Sequence, residues 1–71
     1  MTTLAIYRDR KTMEKLACIS VVGGKDKPYF VDYIGQNRDG SDYIMCSGGS
    51  FETIAEAHGT VMKNRPGAFM I

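Results

Sequence analysis

Residues 29–46 read YFVDYIGQNRDGSDYIMC, and this stretch decides the fold. Aromatic and β-branched residues fill five of its first six positions, so Tyr29 to Ile34 is predicted to be a strand. Gly35 to Ser41 is a run of turn-forming residues, and Asp39-Gly40 within it is a strong hairpin signal. Asp42 to Cys46 then returns as the partner strand. Side chains alternate across a strand, so Tyr29, Val31 and Tyr33 face one way and Phe30, Asp32 and Ile34 the other. In the returning strand Tyr43 and Met45 separate likewise from Asp42, Ile44 and Cys46. An unpaired buried carboxylate is costly, which turns the set containing Asp32 and Asp42 outward.

Downstream, Ser47-Gly48-Gly49-Ser50 reads as a flexible glycine loop that leads into a helix. Ser50 is the expected N-cap and Glu52 lies in the first turn. Phe51, Ile54, His58, Val61 and Met62 recur at helical spacing and form the expected inward stripe. Gly59 inside this pattern costs about 1 kcal/mol relative to alanine, which suggests close packing against a strand. Asn64-Arg65-Pro66 ends the helix, and Ala68 to Ile71 is long enough for a short final strand.

Upstream, Thr3 to Arg8 reads as a strand and Gly23 to Pro28 as a turn. Leu16 to Val22 reads as a strand too, because short β-branched runs favour one. A helix capped by Thr12 and covering residues 13–22 is the alternative. The expected architecture is a single α+β domain over residues 1–71: a small antiparallel β-meander of three to five strands, with one C-terminal helix on one face. One helix covers one face only. Phe30, Ile34 and Ile44 are then left uncovered beside Asp32 and Asp42, as a contact surface for a protein partner or a second copy. Coverage of that face by the tail, or by a helix at 13–22, is the competing expectation.

Composition bounds the function. The chain has 71 residues, a net charge of +1 and 44% hydrophobic residues, which fits a small folded domain. A domain of this size buries only about 60% of its unfolded surface, so association would help it. No apolar run reaches the roughly 20 residues of a membrane span, and no signal segment opens the sequence, so a cytoplasmic location is expected. Cys18 and Cys46 lie far apart without paired spacing and read as reduced, buried thiols. Basic residues concentrate toward both ends of the sequence and acids in the middle.

A nucleophile needs a base and an orienting group, and the one histidine, His58, falls on the helix stripe. One histidine and two separated cysteines do not supply a zinc site. Asn37 to Asp42 looks like a calcium loop, but the frame would put Gly35 and Cys46 at positions that need carboxylates. Gly23-Gly24-Lys25 lacks the remainder of a phosphate-binding loop. No enzyme, metal or cofactor is therefore expected. The Ser47-Gly48-Gly49-Ser50 loop could offer backbone N–H groups and a helix dipole to an anion, although a plain capping loop is the simpler reading. Nucleic acid stacking on the tyrosines would need cations beside the rings, where Asp32, Asp39 and Asp42 stand instead.

Two resemblances add a setting. Glu52-Thr53-Ile54-Ala55-Glu56-Ala57, followed after the helix by Pro66-Gly67-Ala68-Phe69, resembles the helix-to-strand segment of the small RNA polymerase inhibitors of T7-like phages. Those are single α+β domains that bind a host enzyme. The arginines that follow the matching strand in that family have no counterpart here, so no functional residue carries over. The hairpin, with Gly49-Ser50-Phe51-Glu52-Thr53 and Glu56-Ala57, looks like the three-stranded, one-helix arm-binding domain of phage-type integrases. The basic residues such domains place on the sheet are missing. Both resemblances imply a phage or mobile-element protein acting in the host cytoplasm, as an inhibitor or adaptor of a host protein such as RNA polymerase, a nuclease or a defence complex. A small DNA-binding module is the alternative.

Overall fold

The structure, a computed structural model, describes residues 1–70. Five strands and one helix follow one another as β1 (Thr2–Asp9), β2 (Lys15–Val21), β3 (Tyr29–Gln36), β4 (Asp42–Phe51), α1 (Ile54–Asn64) and β5 (Ala68–Met70). Every pairing is antiparallel, and the sheet order is β4-β3-β2-β1-β5. This is the expected α+β meander with one helix. Lys15–Val21 is a strand, which removes the helical alternative for that segment. The tail extends the sheet beside β1, with Tyr7 opposite Met70, instead of folding across a face. The final position of the expected last strand, Ile71, lies outside the described residues.

The β3–β4 hairpin closes where the Asp39-Gly40 signal places it. Asn37 N–H donates to Ser41 O at 2.7 Å and Gly40 N–H to Asn37 O at 3.0 Å. Gly40 takes a φ of +88°, a left-handed conformation that glycine adopts without steric cost. The Asp39 carboxylate accepts from Ser41 N–H at 2.9 Å and from its hydroxyl at 2.6 Å, which holds its pKa below the usual carboxylate value.

Strand β4 runs farther than the sequence suggests. Ser47-Gly48-Gly49-Ser50 is part of it, so the expected loop into the helix does not exist and the premise for an anion site there fails. Two bulges explain the added length: Met45 and Gly48 are skipped in the ladder with β3. A Cβ at Gly48 would lie 2.7 Å from both the Val31 and the Tyr33 side chains, so glycine lets the bulged backbone close over the core.

The helix starts later than expected for the same reason. Ser50 and Phe51 belong to β4, and Thr53 is the N-cap, its hydroxyl oxygen accepting from Glu56 N–H at 3.2 Å. Thr53-Ile54-Ala55-Glu56 is a capping-box sequence, and Glu56 takes the first-turn acidic position assigned above to Glu52. The inward residues are Ala57 and Val61. Ile54, expected inward, is 45% exposed, and His58 is exposed as well. Gly59 faces open space with nothing near an added Cβ, so close packing does not account for it.

Ala57 and Val61 close over Ala5, Tyr7, Ala17, Ile19, Val31 and Tyr33, which with Ala68 form the core. Small residues on the helix and on β2 let the helix sit close to the sheet. Tyr33 is fixed further by polar contacts. Asn64 Nδ2 donates to its hydroxyl at 2.9 Å, and the Arg65 guanidinium lies 4.5 Å over its ring.

Candidate functional site

Strand register identifies the face opposite the helix. Residues paired across strands share a face, so the core positions Ile19, Val31 and Tyr33 define the helix side. The other side carries a row of Ile6, Cys18, Asp32 and Ser47 across four strands. Ser20, Phe30 and Ser50 form a second row, and Ile34 with Ile44 a third. Phe30, Asp32, Ile34, Asp42 and Ile44 therefore share this face with Ile6, which the sequence analysis did not single out. Ile6 was hidden because the register of the first strand is invisible until its partner is known.

Exposure is uneven across the face. Ile44 is 66% exposed, whereas Phe30, Asp32, Ile34 and Ile6 are half-buried by their neighbours and Ser20 is buried. Among the described residues no helix covers these rows, and β5 forms an edge of the sheet. Among the described residues the one ion pair joins Lys15 Nζ to Asp42 Oδ2 at 3.3 Å. Asp42 also accepts from Gln36 Nε2 at 2.9 Å, and these contacts hold its pKa below the ordinary value. Asp32 sits without a paired cation among half-buried apolar groups. Its neighbour Cys18 has a pKa pushed up by burial first and by the Asp32 charge second. A thiol so placed is a poor nucleophile. Cys46, expected buried, is exposed on the edge strand, and the bulge at Met45 sets it opposite Tyr33 instead of on the face of Asp42 and Ile44.

A second feature lies on the helix side near β5. Tyr7, Ile54, Ala55, His58 and Met70 line an apolar groove of about 260 Å³. At its floor the Tyr7 hydroxyl meets His58 Nδ1 at 2.6 Å. Sequence reading missed the groove, since it arises from a helix edge and a β1–β5 pairing that no local pattern encodes. Its volume falls just below the ~300–1,000 Å³ of small-molecule sites, and its lining lacks a convergent set of polar groups. Among the described residues no cluster of His, Cys, Asp or Glu has a metal-binding arrangement, and no helix is long and apolar enough to cross a membrane.

Compared with known protein families, with curated proteins and with solved structures, the chain matches none.

Proposed function

We propose that the chain is a small non-enzymatic binding protein whose uncovered sheet face docks a protein partner. The observation that carries this reading is the row structure of that face. Ile44 is open to solvent, Ile34, Phe30 and Ile6 continue the apolar surface, and Asp32 lies among them without a cation. Apolar patches ringed by polar groups serve as contact sites, and a carboxylate in such a patch selects a partner that brings a donor. The resemblance of Glu52 to Ala57 and Pro66 to Phe69 to phage polymerase inhibitors supports a host-directed inhibitor or adaptor acting in the cytoplasm. The test is differential capture from bacterial lysate with immobilised wild-type chain and a Phe30→Ser variant of verified fold. A protein retained by the first and lost from the second supports docking on this face, and equal retention by both refutes it.

One observation favours a DNA-binding module as a second reading. The sequence places basic residues at both ends, and the topology gathers most of them at one pole of the sheet. There the β1–β2 turn, the β3–β4 hairpin and the helix C-terminus meet, with Arg10 N–H bonded to Gly67 O at 3.2 Å. All four arginines, Arg8, Arg10, Arg38 and Arg65, and Lys11, Lys15 and Lys63 belong to these segments or to the strand ends that adjoin them, against Asp9, Glu14, Asp39 and Asp42. DNA binding through this pole would weaken steeply with added salt, whereas a contact centred on Ile34 and Ile44 would not.

A further inference from the structure

The sheet has two edges, and they differ. Among the described residues β5 spans three, whereas β4 runs for ten and its outer side has no strand beside it. Such an edge presents a row of unpaired N–H and C=O groups, and monomeric proteins usually guard it with lysine, proline or an inward charge. No lysine, proline or inward charge stands here, since residues 43–51 contain no charged residue and no proline; the edge's irregularities are its two bulges. Three consecutive large apolar residues, Tyr43, Ile44 and Met45, are 46%, 66% and 51% exposed on this strand, and Cys46 follows them exposed. The bulges at Met45 and Gly48 bend the strand, Met45 within the stretch from Asp42 to Cys46 and Gly48 beyond it, and among the described residues the outer side of that stretch stays without a partner.

We propose that this stretch pairs antiparallel with the same stretch of a second copy, joining the two sheets into one across a two-fold axis. Self-pairing suits these residues. With the axis between Ile44 and Met45, Asp42 falls opposite Ser47 of the second copy and not opposite a second Asp42, and its charge is already met by Lys15. The two Ile34–Ile44 patches then lie side by side on one continuous face. A foreign strand could satisfy the same main-chain groups, but peptide recognition at an edge takes its specificity from side-chain pockets. The apolar groove of this chain lies at the opposite side of the sheet, against Tyr7 and Met70. An isologous contact needs no pocket, because symmetry makes the edge its own complement.

The inference concerns the edge and does not depend on what docks on the face. Sedimentation equilibrium in reducing buffer tests it. The contact is short, so the expected result is a twofold rise in mass between about 10 μM and about 500 μM, the range of a weak, small interface. Met45→Lys changes a bulge residue that has no partner on β3, and the variant should stay at monomer mass with a wild-type circular dichroism spectrum. If that variant fails to fold, amide exchange on the wild type decides: the amides of residues 43–46 should slow at the higher concentration. A wild-type mass constant at the monomer value, a Met45→Lys protein that doubles its mass as the wild type does, or exchange rates independent of concentration would overturn the proposal.

Discussion

The Tyr7 hydroxyl and His58 Nδ1 are 2.6 Å apart although the residues are separated by 51 positions in sequence. The contact ties the exposed flank of α1 to the centre of β1. The hydroxyl donates where Nδ1 carries no proton and accepts where it does, so the contact forms with either ring tautomer. The tyrosine ring is fully buried, and that burial raises the Tyr7 pKa above 10.0.

Removing the hydroxyl with Tyr7→Phe should cost about 1 kcal/mol near neutral pH, the usual net worth of one hydrogen bond. The sign of the pH effect follows from the raised pKa. The folded state keeps the phenol proton where the unfolded state loses it, so Tyr7 destabilises the fold as pH rises past about 10, and below that its effect is constant. Urea unfolding followed across that range should show a shallower alkaline decline for Tyr7→Phe than for wild type. Parallel declines would mean that the phenol is not the group responsible.

Val61 and Ile54 lie on the same helix with opposite fates. Val61 is fully buried between helix and sheet, whereas Ile54 edges the groove half in solvent. Val61→Ala should therefore cost about 2 kcal/mol, and Ile54→Ala less than about 1 kcal/mol. Equal costs in chemical denaturation would place Ile54 in the core and the helix rotated from its described orientation.

Gly59→Ala should stabilise the chain by about 0.5–1 kcal/mol. Glycine in a helix interior loses more backbone entropy than alanine, and no atom lies where the new Cβ would go. A rise in thermal midpoint checks this. Destabilisation would mean that something seats against the glycine.

The parts of the fold that sequence could read are those encoded locally. Aromatic and β-branched density marks Tyr29 to Ile34, and Asp39-Gly40 marks the hairpin. The cost of burying Asp32 turns its face outward, and the register bears out that separation from Val31 and Tyr33. What stayed hidden depends on long-range pairing. Glycines 48 and 49 resemble a loop, yet Gly48 is needed because a bulge brings backbone against Val31 and Tyr33. The helical stripe was drawn from hydrophobicity, so it included Ile54 and passed over Ala57, whose small side chain is what lets the helix approach. Thr53 and Glu56 carry a capping box that is legible in sequence, and it is Thr53, not Ser50, that caps the helix. Ile6 joined the open face only once its opposition to Cys18 was known. The basic pole likewise needed the topology that brings residues 8–15 beside residues 63–65.

The central claim is that the open sheet face binds a protein, and the affinity of an Ile44→Asp variant tests it most directly. Ile44 is the most exposed apolar residue of that face, so the change should leave the thermal midpoint within a degree or two of wild type. Measured by calorimetry against the protein captured from lysate, binding should weaken by about 2 kcal/mol or more, roughly thirtyfold, as expected for a residue at the centre of an interface. An Ile44→Asp chain that keeps its fold and binds that protein with wild-type affinity would contradict the account and move the contact off this face.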